Sequence, residues 1–183
     1  MRQALELLAM TDDWPVNLGE GKLPGHRENV VDYVRGLALR RLGREDEAKK
    51  AFGRAASGGE TVSGGQMFYN DQPPEMQFYQ GLARRALGNE AGAVASFQGL
   101  VQFADAHSGD VPEVDFFAVS LPEFLVFEAD LAASNKCLCR FLKGLGLAGL
   151  GRREEAKGEL KAVLSDYDAA HLGAAVHLAQ LAE

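Results

Sequence analysis

Residues 36–52 read GLALRRLGREDEAKKAF, residues 81–97 read GLARRALGNEAGAVASF, and residues 144–160 read GLGLAGLGRREEAKGEL. Each opens on Gly and places a second Gly seven positions on, then Ala, then a large apolar residue. The sets are Gly36/Gly43/Ala48/Phe52, Gly81/Gly88/Ala93/Phe97 and Gly144/Gly151/Ala156/Leu160. Self-similarity of this kind decides the architecture before any single motif is weighed.

The first Gly of copy one sits in an apolar run with helical spacing, Val30, Val31, Val34, Leu37, Ala38 and Leu42. A helical Gly costs about 1 kcal/mol against Ala, so three aligned ones need a reason. Removing the Cβ lets a second helix approach, with the later Ala as the expected counter-surface. The second Gly follows Leu in every copy, where a helix C-terminus favours a left-handed residue. Acids or Asn come next: Glu45 and Asp46, Asn89 and Glu90, Glu154 and Glu155. Carboxylates there suit the positive end of a helix dipole. The unit is helix, tight turn, antiparallel helix, and the fold class is all-α.

These residues resemble the tetratricopeptide repeat family. Its 34-residue unit carries small residues matched here by Gly36, Ala48 and Ala55 around Phe52, by Gly81 and Ala93 around Phe97, and by Gly144 and Ala156 around Leu160. Departures are visible. The family's first-helix Trp is absent, Arg35, Gln80 and Lys143 replace a Leu, and no Pro closes a unit. The copies start at 36, 81 and 144, which inserts about 11 and 29 residues. The resemblance implies a right-handed solenoid in one domain, 1–183, with units near 28–57, 73–106 and 136–167. Flanking helices fall at 2–10 and 169–181, and insertions at 58–72 and 107–133. The flanking helices read either as natural caps or as half-units of a longer protein.

Net charge is −7, unevenly spread. Residues 1–60 balance ten acids with ten bases, whereas 101–135 hold seven acids and no base. A nucleic-acid partner is disfavoured, because phosphate binding needs a basic face. Arg35, Arg40, Arg41 and Arg44 are interleaved with acids and read as a solvated helix face. No apolar run is long enough to span a membrane and no secretory leader opens the chain, so the expectation is no membrane and a cytoplasmic location. Cys137 and Cys139, two apart on a helix, face different directions and read as buried thiols; no metal is expected. His26, His107, His171 and His177 are scattered.

The insertions differ in character. Residues 57–71 are rich in Gly, with Thr61 and Ser63, and read as a flexible loop; a phosphate cradle would need the G-x4-GK[ST] pattern, which is missing. Residues 110–131, DVPEVDFFAVSLPEFLVFEADL, are acidic and rich in Phe. They are too apolar for a solvated loop. A turn and a short helix near 122–128 are expected, packed on the repeats through Phe116, Phe117, Phe124 and Phe127.

The resemblance also places a concave groove. Its positions hold Tyr33, Phe78 and Phe141; then Leu37, Leu82 and Leu145; then Arg40, Arg85 and Ala148. Aromatics beside arginines suit an acidic, aromatic or planar guest. Leu stands where chaperone-tail binders carry Asn, so that clamp does not transfer. The acidic insertion is itself a candidate guest.

No Ser, Cys or carboxylate pattern signals catalysis and no cofactor is implied. Asn17–Gly21, Phe117–Pro122 and His171–Ala174 also resemble text between repeat pairs in the helical tails of large multidomain bacterial proteins of unknown function. Two functions stand. One is a protein-interaction or intramolecular scaffold module, binding a protein, a peptide or other domains of the same polypeptide. The other is a small-molecule or carbohydrate-binding accessory domain using the groove and the loop 17–22. A dimer through an exposed end helix is compatible with both.

Overall fold

Three glycines with left-handed backbone, Gly43 (φ 73°), Gly88 (φ 85°) and Gly151 (φ 79°), divide the chain into helix pairs. The computed structural model describes residues 2–12, 17, 21, 26–59, 62, 72–111 and 130–182. The expected short helix near 122–128 and most of the Gly-rich loop lie outside them. Among the described residues the structure is helical, with no strand.

The helices are α1 Arg2–Ala9, α2 Asn29–Arg41, α3 Glu45–Ala55, α4 Met76–Ala86, α5 Glu90–His107, α6 Leu131–Gly149, α7 Arg153–Ala162 and α8 Leu172–Gln180. A π-helical turn, Val163–Tyr167, extends α7 and ends with the Asp168 N–H donating to the Val163 carbonyl at 2.9 Å. Two compact units share these elements, Met1–Ser96 and Phe97–Glu183, and the division falls inside α5.

Each turn is closed alike. The Gly43 N–H donates to Arg40 O and the Arg44 N–H to Leu39 O, both at 3.0 Å. Gly88 and Asn89 repeat the pattern on Arg85 and Arg84, as do Gly151 and Arg152 on Ala148 and Leu147. These bonds satisfy carbonyls that a helix end leaves open. Asn89 Oδ1 then accepts from the Gly92 N–H at 2.9 Å and caps α5. Asp130 Oδ1 caps α6 from Ala133 at 2.9 Å, which is why α6 opens at Leu131, ahead of the 136 read from the sequence.

In the first unit, α2 and α3 run antiparallel: Asn29 meets Ala55, Asp32 meets Arg54, and Gly36 meets Phe52. Leu39, Ala48, Ala51, Phe52, Ala55 and Ala83 form the core, with Leu5, Tyr33 and Leu37 packed on it. The atoms nearest the missing Gly36 Cβ belong to the Phe52 ring, so the large residue as well as the small one shapes this contact. The large residue is long enough to cross between helices, and the Gly makes room for it.

In the second unit the rule recurs. A Cβ on Gly144 would lie 2.9 Å from Leu160 Cγ and 3.6 Å from the Ala156 carbonyl. Gly146 and Gly149 admit the Phe97 backbone and ring. Phe97, Leu100, Leu142, Leu145, Leu160 and Val163 are fully buried there. Cys139 is buried and Cys137 only half-buried. Burial raises both thiol pKa values, with Asp168 adding to the rise at Cys137 and Asp110 at Cys139.

Candidate functional site

Helix α2 places Tyr33, Leu37 and Arg40 at i, i+4 and i+7, so they share one face. Tyr33 is half-buried, its ring tilted against Phe52 (5.9 Å between centroids) and Tyr79 (6.2 Å). The Arg40 guanidinium lies over the Phe52 ring, 5.2 Å from its centroid. Phe52 is therefore the floor beneath both groups.

Helix α4, which packs on α2, carries Arg85. Burial raises the Tyr33 pKa, while the charges of Arg40 and then Arg85 pull it down. Both guanidiniums thus stand close enough to act on one phenol. Arg85 is anchored by Glu90, with contacts of 2.6 and 2.9 Å. Among the described residues, Arg40 makes no hydrogen bond or ion pair, and the Tyr33 hydroxyl makes no hydrogen bond. Some other arginines of the unit are engaged: Arg35 with Asp12 and Asp32, Arg44 with Glu47, Arg54 with Asp32.

The remaining groove candidates are placed differently. Leu37 packs on the core and Leu82 is half-buried. Phe78 is 6 % exposed and edge-on to Tyr79, so it supports the face from within. Phe141 belongs to the second unit, where it is 6 % exposed and its ring is tilted against His171. Phe116, Phe117, Phe124 and Phe127 lie outside the described residues.

Sequence reasoning missed Tyr79 and the floor role of Phe52, because repeat position assigns both to packing. It also missed a cavity of about 420 Å³ in the second unit. One side is α6, where Ala133, Ser134, Cys137 and Leu138 follow helical spacing from Asp130. The other is Asp166, Tyr167, Asp168 and His171. That spacing was legible; the partner wall comes from the π-helical turn, which no sequence signal announced.

Among the described residues, no group of three His, Cys, Asp or Glu is placed to hold a metal ion. None of their helices is long and apolar enough to cross a membrane. Residues 75–103, which span α4 and most of α5, match the model of the tetratricopeptide repeat family. No solved structure matches the chain.

Proposed function

We propose that this tetratricopeptide-repeat chain is a non-catalytic interaction or scaffold module, and that its first unit receives a protein or peptide partner at Tyr33, Arg40 and Arg85. Domains of the same polypeptide are included among such partners. One observation carries the reading: the charges of two arginines act on one half-buried phenol, and Arg40 and the phenol hydroxyl have no acceptor of their own among the described residues. Cations and a hydroxyl donor over an aromatic floor favour an acidic segment with an apolar or aromatic residue beside its carboxylate. Leu37 and Leu82 supply apolar margin. Family matching supports the general role, since tetratricopeptide repeats commonly present helix pairs to other proteins.

The test uses labelled peptides of equal length, one alternating Glu with Phe and one alternating Lys with Phe, titrated by fluorescence anisotropy. The acidic peptide is expected to bind, more weakly as salt rises, and to be lost with Arg40→Glu and Arg85→Glu. Equal binding of both peptides, or binding untouched by the two changes, rejects this surface.

A second reading, a small-ligand or carbohydrate-binding accessory domain, is favoured by the cavity beside α6. Its volume lies within the usual range for small-molecule sites and its lining mixes Tyr167 with Ser134 and three carboxylates. A sugar panel read by thermal shift, compared between wild type and Tyr167→Ala, separates this reading from the first.

A further inference from the structure

We propose that α8 is a proton-operated flap on the second unit, seated while His171 and His177 are neutral and released when they are protonated. The cap requires a lone pair on the His171 imidazole, and burial disfavours a charge on His177. At the start, the Ala174 N–H donates to His171 Nδ1 at 3.1 Å, so that nitrogen carries a lone pair and the imidazole is the helix cap. A proton on Nδ1 abolishes the cap and sets a positive charge at the positive end of the helix dipole. Further along, His177 is buried, with Nδ1 3.1 Å from Gln180 Oε1.

Both rings approach Phe141 of α6, at 4.6 and 6.3 Å between centroids. Gly173 stands between the two histidines, and a Cβ there would lie 2.8 Å from Phe141 Cζ. The helix is thus seated against one aromatic ring with an imidazole on either side. The helix also packs on α7, with Ala174 fully buried. Residues 169–182 contain no Asp, Glu, Lys or Arg, and Leu172 is 75 % exposed.

The charged groups around the two rings differ. His171 shares its cavity with Asp130, Asp166 and Asp168, and with Cys137 and Tyr167. On α7, Arg153 reaches α8 by donating to the Leu181 carbonyl at 2.8 Å. Other charged groups there are held elsewhere, Lys157 by Glu154, Glu155 by Arg152 and Glu159 by Arg140, while Lys161 is exposed. On α6, Arg140 lies 5.9 Å from the Tyr167 ring and Lys143 is held by Asp105.

Burial lowers the His177 pKa, and the Gln180 hydrogen bond partly offsets this. The folded value lies below the unfolded one. His177 therefore supports the seat fully above about pH 6.5, and that support is lost as pH falls through the window below.

Amide hydrogen exchange of the whole chain, corrected for intrinsic rates, tests the flap between pH 7.5 and 5.5. Amides of 174–180 are expected to lose about tenfold or more of their protection at the lower pH. Those of α2 and α3 should hold. His171→Asn keeps a neutral cap and His177→Leu a neutral buried side chain, so the double variant should change less than twofold. His171→Asn alone, should the pair not fold, is expected to remove part of the response. Gly173→Ala should unprotect the same amides at both pH values. Protection that is pH-independent in the wild type overturns the proposal. So does a loss shared with α2 and α3, a response that survives in both histidine variants, or full protection in Gly173→Ala.

Discussion

The Phe52 ring occupies the space that a side chain on Gly36 would need: a Cβ there would lie 2.5 Å from Cε1 and 2.6 Å from Cδ1. Phe52 is fully buried, so the ring has little room to retreat. Gly36→Ala gains helix propensity of about 1 kcal/mol but overpacks the α2–α3 contact, which typically costs about 1–3 kcal/mol. The clash is with a rigid ring, so the net effect is destabilising. Urea unfolding of the variant should show a lower midpoint than wild type; an unchanged or raised midpoint would mean that the two helices separate freely.

The opposite sign is expected at Gly53 and Gly158. Both lie on exposed faces, in α3 and α7, and a Cβ at either meets nothing within 4 Å. Replacing them by Ala should stabilise by up to about 1 kcal/mol each. The two effects should add, because the residues sit in different units. A loss of stability at either would show that helix propensity is not the controlling term there.

Gly43, Gly88 and Gly151 make a third class. No neighbour crowds them, but their φ values of 73°, 85° and 79° lie where an L side chain meets its own carbonyl. Ala at each is expected to cost about 1–2 kcal/mol, and Asn distinctly less, since Asn tolerates this conformation. Equal losses for Ala and Asn would point to a cause other than backbone conformation.

The glycines also mark what the sequence could disclose. Gly43, Gly88 and Gly151 follow Leu at the ends of periodic runs, and chirality alone assigns their role. Gly36 and Gly144 announced a close approach, yet not the partner. Composition favours small against small, whereas the reach of Phe52 and Leu160 across the pair also shapes the contact. Arg40 and Arg85 were legible as groove residues by repeat position. Their joint action on Tyr33 was not, because it depends on how α4 packs on α2. Phe78 and Phe141 carry the same position label but are buried, since aromatic area goes first to the core wherever core space is open.

Behind α2 lies a chain of side-chain amides. Asn29 Nδ2 donates to the carbonyls of Ala55 and Ser57, both at 2.7 Å, and Asn29 Oδ1 accepts from Gln72. Asn29→Ala strands buried acceptors and should cost about 2–3 kcal/mol. Gln80, 1 % exposed, is the weak member: its Nε2 is 3.4 Å from Gln72 Oε1 and its Oε1 has no partner among the described residues. Gln80→Leu removes that orphan oxygen and should be neutral or stabilising. A cost at Gln80 equal to that at Asn29 would mean the oxygen is satisfied in solution.

The proposed binding surface makes a prediction that needs no partner. Burial raises the Tyr33 pKa, Arg40 lowers it, and Arg85 lowers it less. Arg40→Gln should therefore raise the Tyr33 pKa further, and Arg85→Gln should raise it by a smaller step. Because the folded value already exceeds the unfolded one, Tyr33 contributes stability that is full below about pH 10 and lost as pH rises through the folded value. Carbon NMR of ring-labelled tyrosine, assigned with Tyr33→Phe, reads the titration directly. A bound acidic peptide would screen the guanidiniums and shift Tyr33 in the same direction as the Arg40 variant. If Arg40→Gln leaves the Tyr33 titration where it was, the two side chains do not share a site in solution, and an acidic guest loses the geometry that would select it.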